Sequence, residues 1–270
     1  MVTEVGKGIV RAHGGSHFNC MVTEVGKGIV RAHGESEVRP QVRRPLSWDL
    51  LTEGRRSVAK VETEGWVIWS GLALSFHLLC RASEIWAFGN GPVHQDVFLI
   101  RRDLVFLAGA SQLAWGDRRV ADRVEVMFRA SKSDKRVGAI VTRTSVTVRK
   151  EKARNEKSYE VLEIILDLLD FYPQLSVSAP LMQTRTANGW KVSTRTVATK
   201  ALRRMVSSQG RDPMQYALHS GRIGGATQLA AQGASDIQIQ RAGRWKSLAF
   251  MGYVRAGGEG ADFVSEALTR

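Results

Sequence analysis

HSGRIGGATQLAAQGASDIQIQRAGRWKSLAFMGYVR, residues 219–255, is the stretch on which the reading of this chain turns. His219 and Arg222 stand three apart at the start of an expected helix, so both side chains reach one point from one face. Gly233 stops that helix. Ser235 and Asp236 open a second by offering side-chain oxygens to its free N–H groups, and Arg244, Trp245 and Lys246 follow at its end. A third begins after Ser247, with Phe250 and Val254 as an i,i+4 pair and Tyr253 on the flank. The stretch gathers a His, an Arg, an indole N–H and a phenol. It is also basic, with Arg222, Arg241, Arg244, Lys246 and Arg255 set against Asp236 alone.

Working outward, 270 residues at 43% hydrophobic content suffice for one large domain or two small ones with a packed core. A net charge of +13 points to a polyanionic partner, of which nucleic acid is the commonest for a soluble basic protein. Cys20 and Cys80, far apart in sequence, suggest neither a disulfide framework nor a metal knuckle, and so a reducing compartment. The most apolar run, residues 66–80, falls short of the ~20 residues that cross a bilayer and reads as a buried helix. No apolar leader is visible at the N-terminus, so an intracellular protein is expected: nuclear in a eukaryote, otherwise cytoplasmic. No Gly-rich loop ending in Gly-Lys-Ser/Thr and no acidic cluster suited to Mg²⁺ occurs, so neither a metal nor another cofactor, and no small-molecule substrate, is expected.

Residues 1–14, MVTEVGKGIVRAHG, recur identically at 21–34, and the segment 1–43 is expected to be poorly ordered. Ser47 caps a helix expected over residues 48–61, and a second helix is expected over 65–80, ending at Arg81-Ala-Ser-Glu84-Ile85. Val124, Val126, Phe128 and Ala130 alternate onto one face of a strand. Val137, Ala139 and Val141 do the same after a turn at residues 131–135, which contains Lys132 and Lys135. Residues 149–157 form a charged linker, and Ser158 caps an amphipathic helix running through Phe171. Thr194 or Thr196 opens another helix to Ser208, bearing Arg203 and Arg204 on an exposed face. The whole reads as mainly α with a small antiparallel β-sheet.

Together these residues resemble the catalytic domain of the tyrosine recombinases, the phage integrase family. Its first signature, an Arg just after a buried helix followed three residues on by Glu and an apolar residue, is matched by Arg81, Glu84 and Ile85. Its second, His-x-x-Arg, is matched by His219 and Arg222, its following His or Trp by Trp245, and its nucleophile on a short helix by Tyr253. The wording Gly-Arg-Trp-x-Ser-x-x-Phe-x-x-Tyr-x-Arg is similar to recombinases of eukaryotic mobile elements. A hairpin-turn Lys is catalytic in that family, with Lys132 the better match and Lys135 the reserve.

The resemblance implies an α+β catalytic domain over residues 44–256, with 257–270 a C-terminal tail, and a site-specific recombinase or integrase acting on double-stranded DNA. Tyr253 would attack the phosphodiester and hold it as a 3′-phosphotyrosyl bond. Arg81 and Arg222 would clamp the non-bridging oxygens, and Lys132 would protonate the leaving 5′ oxygen. His219, with an ordinary pKa near working pH, would accept the tyrosine proton, and Trp245 would buttress the phosphate. Arg203, Arg204, Arg241, Arg244 and Lys246 are expected DNA contacts. The resemblance also implies self-association, as a tetramer, on DNA and, upstream, a helical core-binding domain that residues 1–43 do not supply. The competing readings are a DNA-binding remnant that does not cut and, less favoured, a type IB topoisomerase-like enzyme.

Overall fold

The apolar run at residues 66–80 becomes the helix around which the other elements pack. A computed structural model describes residues 43–58, 64–88, 98–129, 144–149, 161–172, 176–245, 250–251 and 254. All belong to one unit, Arg43–Arg270.

Helix α1, Trp48–Arg56, starts where expected: Ser47 Oγ accepts the Leu50 N–H at 3.2 Å. It stops at Arg56, short of the expected residue 61, because the N–H and Oγ of Ser57 both turn back onto the Gly54 carbonyl. Helix α2, Glu64–His77, is buried at every position from Trp66 to Phe76. Such all-round burial needs neighbours on every side, and they are α1, α4, α5, α6 and strand β5, introduced in turn below. The helix ends three residues before expected, at a turn in which Leu79 takes a left-handed φ of 48°. A short helix α3, Ala82–Ile85, follows.

The main sheet is antiparallel with order β2-β1-β3-β4: β1 Leu104–Ala108, β2 Ser111–Gln112, β3 Arg123–Phe128 and β4 Thr144–Arg149. Val124, Val126 and Phe128 point inward from β3 as their alternation predicts. The partner strand is at 144–149, later than the alternation at Val137–Val141 suggests; its register sets Val124 opposite Val148 and Val126 opposite Val146. Arg149, read as the start of the linker, closes this strand. Ala130, the 131–135 turn, Val137, Ala139, Val141 and Ser158 lie outside the described residues, as does the repeat at 1–34.

Helix α4, Val161–Asp170, covers the core with Leu162, Ile164, Ile165, Leu166, Leu168 and Leu169. Each such buried side chain contributes about 1.5–3 kcal/mol. A two-stranded hairpin, β5 Gln183–Thr186 and β6 Gly189–Val192, precedes α5, Arg195–Ser207. Of the two expected caps for α5, Thr194 is the one used, its hydroxyl accepting from Val197 N–H. Helix α6, His219–Ala231, lies on α2 at unusually close range. A Cβ at Gly225 would sit 2.1 Å from the Phe76 carbonyl oxygen, and one at Gly224 would sit 1.8 Å from that of Leu46. Gly233 leaves α6 with a φ of 80°, and Ser235 caps α7, Asp236–Gly243, through a reciprocal box with Gln238. Phe250 is buried and Val254 packs beside it in a satellite core with Leu79, Ala226 and Ile239.

Candidate active site

Three elements remote in sequence meet at the turn that ends α2. Arg222, on the first turn of α6, is 1% exposed. Its guanidinium donates to the carbonyl of Leu79 and, at 2.5 Å, to that of Gly243. The Trp245 ring lies against it, 4.1 Å from the guanidinium carbon to the ring centre. Arg81, at the head of α3, is more open: its side chain is 24% exposed and pairs with Glu84 at 2.9 Å. Glu84 is 2% exposed, and its second carboxylate oxygen accepts the Arg81 backbone N–H at 2.7 Å and Arg244 Nη2 at 2.8 Å. The left-handed φ of Leu79 belongs to this arrangement, since the carbonyls of the same turn, Leu78 and Leu79, are what Arg222 and Arg244 bind.

His219 and Arg222 begin the same helix, and the field of the two arginines reaches the imidazole. Burial first, then Arg222 and Arg81, lower the His219 pKa to about 4. This corrects the expectation of a histidine titrating near neutrality: in the free protein it is a neutral imidazole. Arg222 is itself pulled down to about 10 by burial and by Arg81, with Glu84 opposing, and stays cationic at neutral pH. Its two Nη atoms face main-chain carbonyls, so of the expected clamp Arg81 is the member presented toward solvent, and Arg222 keeps its remaining N–H groups in the wall behind it.

The comparison with solved structures sets this geometry in an architecture. Over 84% of its length the chain superposes on the XerH site-specific recombinase bound to palindromic difH substrate in a post-cleavage complex, with a TM-score of 0.53 and 13% identity. The pre-cleavage XerH complex with difH gives 0.51 at 13% identity, again over 84% of this chain. The chain has the tyrosine recombinase catalytic-domain fold. It covers 53% and 55% of those two chains, so it spans about half the length of the recombinases it matches. The likeness is one of fold: no protein-family model and no curated protein matches the sequence.

Within this recombinase fold, Arg81, His219, Arg222 and Trp245 are gathered at one place, whereas Lys132, Lys135, Tyr253 and Lys246 lie outside the described residues. Arg244, expected to face DNA, is turned inward. Its side chain is 6% exposed, donates to Glu84 and Leu78, and stacks 3.7 Å from the Phe128 ring centre. Arg241 is exposed on α7. Arg203 and Arg204 line an open groove of about 870 Å³ along α5, which sequence reasoning reached only in part: Arg195, Thr196, Thr199, Lys200 and Ser207 share it. None of its four cations makes a salt bridge among the described residues. The i, i+3, i+4, i+7 and i+11 recurrence of 196, 199, 200, 203 and 207 was the available signal, masked by apolar residues on the opposite face of the same helix. Among the described residues no cluster of His, Cys, Asp and Glu is arranged to hold a metal, and no helix is long and apolar enough to cross a membrane.

Proposed function

We propose that this protein cuts and rejoins DNA as a site-specific tyrosine recombinase, storing the broken bond on Tyr253. The observation that carries the reading is the convergence of Arg81, Arg222, His219 and Trp245, from α3, α6 and the end of α7: Trp245 lies on Arg222, and His219 stands in the field of Arg222 and Arg81. A phosphodiester needs concentrated positive charge with a proton acceptor beside it, and here the imidazole of His219 stands in the field of those two arginines.

On this reading the phosphate enters beside Arg81, whose free N–H groups bind a non-bridging oxygen while Arg222 supplies fixed charge from behind. The tyrosine oxygen attacks phosphorus, the bond to the 5′ oxygen breaks, and the phenolic proton passes to His219. A proton for the leaving 5′ oxygen comes from Lys132 or, failing that, Lys135. The phosphate's own negative charge offsets the two arginines that hold the imidazole pKa down, so binding the substrate makes His219 a better base. The basic groove on α5 carries the flanking duplex, and two or more copies assemble on it, as a tetramer for a full exchange. A mobile-element origin agrees with the Gly-Arg-Trp wording around Trp245.

The test is covalent capture. The protein is mixed with a pool of nicked duplexes of randomised sequence, and protein–DNA species surviving SDS are recovered. An adduct formed by the wild type and lost in Tyr253→Phe is the expected result. Duplex binding without any adduct would establish the non-cutting DNA-binding reading instead, and no binding at all would end both.

A further inference from the structure

We infer that Arg244 is a positioning residue, holding the Glu84 carboxylate and the main chain at 243–244 so that the guanidiniums of Arg81 and Arg222 address one point. The inference rests on the cleavage reading above and adds to it a part that touches neither DNA nor the reacting atoms.

Both halves of the residue take part. The side chain reaches three other elements: Glu84 Oε2 at 2.8 Å on α3, the carbonyls of Leu78 at 2.9 Å and Leu79 at 3.3 Å at the end of α2, and the face of Phe128 at 3.7 Å on β3. A planar fork with donors at fixed angles and an apolar face can satisfy all of these at once, and an ammonium cannot. The backbone of Arg244 is in the left-handed region, φ 57° and ψ 41°, unusual for a residue with a side chain. That conformation aims two successive carbonyls at the two candidate catalytic arginines: Gly243 O receives Arg222 at 2.5 Å, and Arg244 O lies 3.5 Å from Arg81 Nη2.

The division of Glu84 explains why the contact matters for chemistry. One carboxylate oxygen binds the Arg81 guanidinium, and the other is occupied by Arg244 and the Arg81 backbone N–H. With the second oxygen taken, Arg81 cannot close a two-pronged pair on Glu84, and part of its fork stays available for phosphate. Without Arg244, the freed oxygen recruits Arg81, and the fork is consumed inside the protein.

The test compares wild type, Arg244→Gln, Arg244→Lys, Glu84→Gln and the Arg244→Gln/Glu84→Gln double variant on a duplex recovered in the capture experiment. The rate constant of adduct formation is taken per folded molecule, the folded fraction coming from the reaction amplitude, and affinity for a random duplex is measured alongside. Arg244→Gln is expected to slow adduct formation at least about tenfold while changing duplex affinity less than about twofold. The lysine variant, which keeps the charge opposite Glu84 and so guards against a fold lost outright, is expected to fail as well. The double variant is expected to be no slower than Glu84→Gln alone, because both residues act through Arg81. An unchanged rate constant, a loss of affinity matching the loss of rate, or costs that multiply in the double variant would each overturn the assignment while leaving the cleavage reading intact. A wild type that forms no adduct with any duplex removes that reading and this inference together.

Discussion

His219 shows at the scale of one residue how the site's charge is tuned. Burial and the neighbouring Arg222 and Arg81 put its pKa at about 4, so replacing Arg81 by Gln removes part of the repulsion and the titration midpoint should rise. Because burial is the larger cause, the midpoint should remain below the ordinary 6.5. An NMR titration of the imidazole carbon-bound protons checks both statements, and an unmoved midpoint would show that Arg81 does not face His219. His77 makes the complementary case without chemistry: it packs edge-on to Trp48 at 4.4 Å, and burial lowers its pKa to about 4 as well. Its folded pKa lies below its unfolded value, so the unfolded chain takes up the extra proton. The stability from keeping this ring neutral is present above pH 6.5 and is lost as pH falls towards 4, of order 3 kcal/mol in all. Denaturant titrations of His77→Leu between those limits should show a pH dependence shallower by about one proton than the wild type. None of this was legible from residue identity, because a pKa depends on which arginines and how much apolar surface the fold brings to the ring.

Elements were more legible than their contacts. Ser47 and Ser235 cap helices where their side chains predict, Thr194 is the one of two candidates that caps α5, and Val124, Val126 and Phe128 alternate inward as a half-buried strand must. The β5–β6 hairpin escaped notice because Gln183-Thr-Arg-Thr186 and Gly189-Trp-Lys-Val192 are polar and short, with little alternation to mark them. The position of β4 is less legible, because the sequence alternation at Val137, Ala139 and Val141 resembles that of Val146 and Val148, which pair with β3. Arg81, His219, Arg222 and Trp245 could be picked out by spacing, but the inward turn of Arg244 could not, since it depends on a left-handed backbone at a residue that is not glycine. Nothing in the sequence singles out Gly224 and Gly225, yet they let α6 approach Leu46 and α2 and so fix where His219 and Arg222 begin. Gly224→Ala forces a Cβ onto the Leu46 carbonyl at 1.8 Å and should cost about 2 kcal/mol or more in urea unfolding. Gly116→Ala, with nothing within 4 Å of its Cβ position, should change stability by less than about 0.5 kcal/mol.

Across the whole molecule, the charge of +13 is not spread evenly, and its partition bears on which cations a polyanion would meet. The acidic face of α4 is already answered from within: Arg119 reaches Glu163 at 3.0 Å and Asp167 at 2.8 Å, and Arg118 reaches Asp170 at 3.1 Å. Arg129 is spent on Asp103, and Arg81 and Arg244 share Glu84. The groove on α5 is the opposite case, with Arg195, Lys200, Arg203 and Arg204 drawing no acidic partner among the described residues. Cations already paired release few counterions on binding, because their charge is neutralised beforehand, whereas unpaired ones displace ions from DNA one for one. Replacing both Arg203 and Arg204 by Ala should therefore flatten the slope of log affinity against log salt for a random duplex by about 1.8, at roughly 0.9 per lost phosphate contact. Replacing Arg118 and Arg119 should leave that slope within about 0.3 while lowering stability, since what is lost there is an internal ion network. Fluorescence titrations over a range of salt concentrations distinguish the two pairs. If the Arg118/Arg119 variant were the one to flatten the slope, the duplex would have to lie across residues 115–120 and α4, and the α5 groove would lose its assigned part.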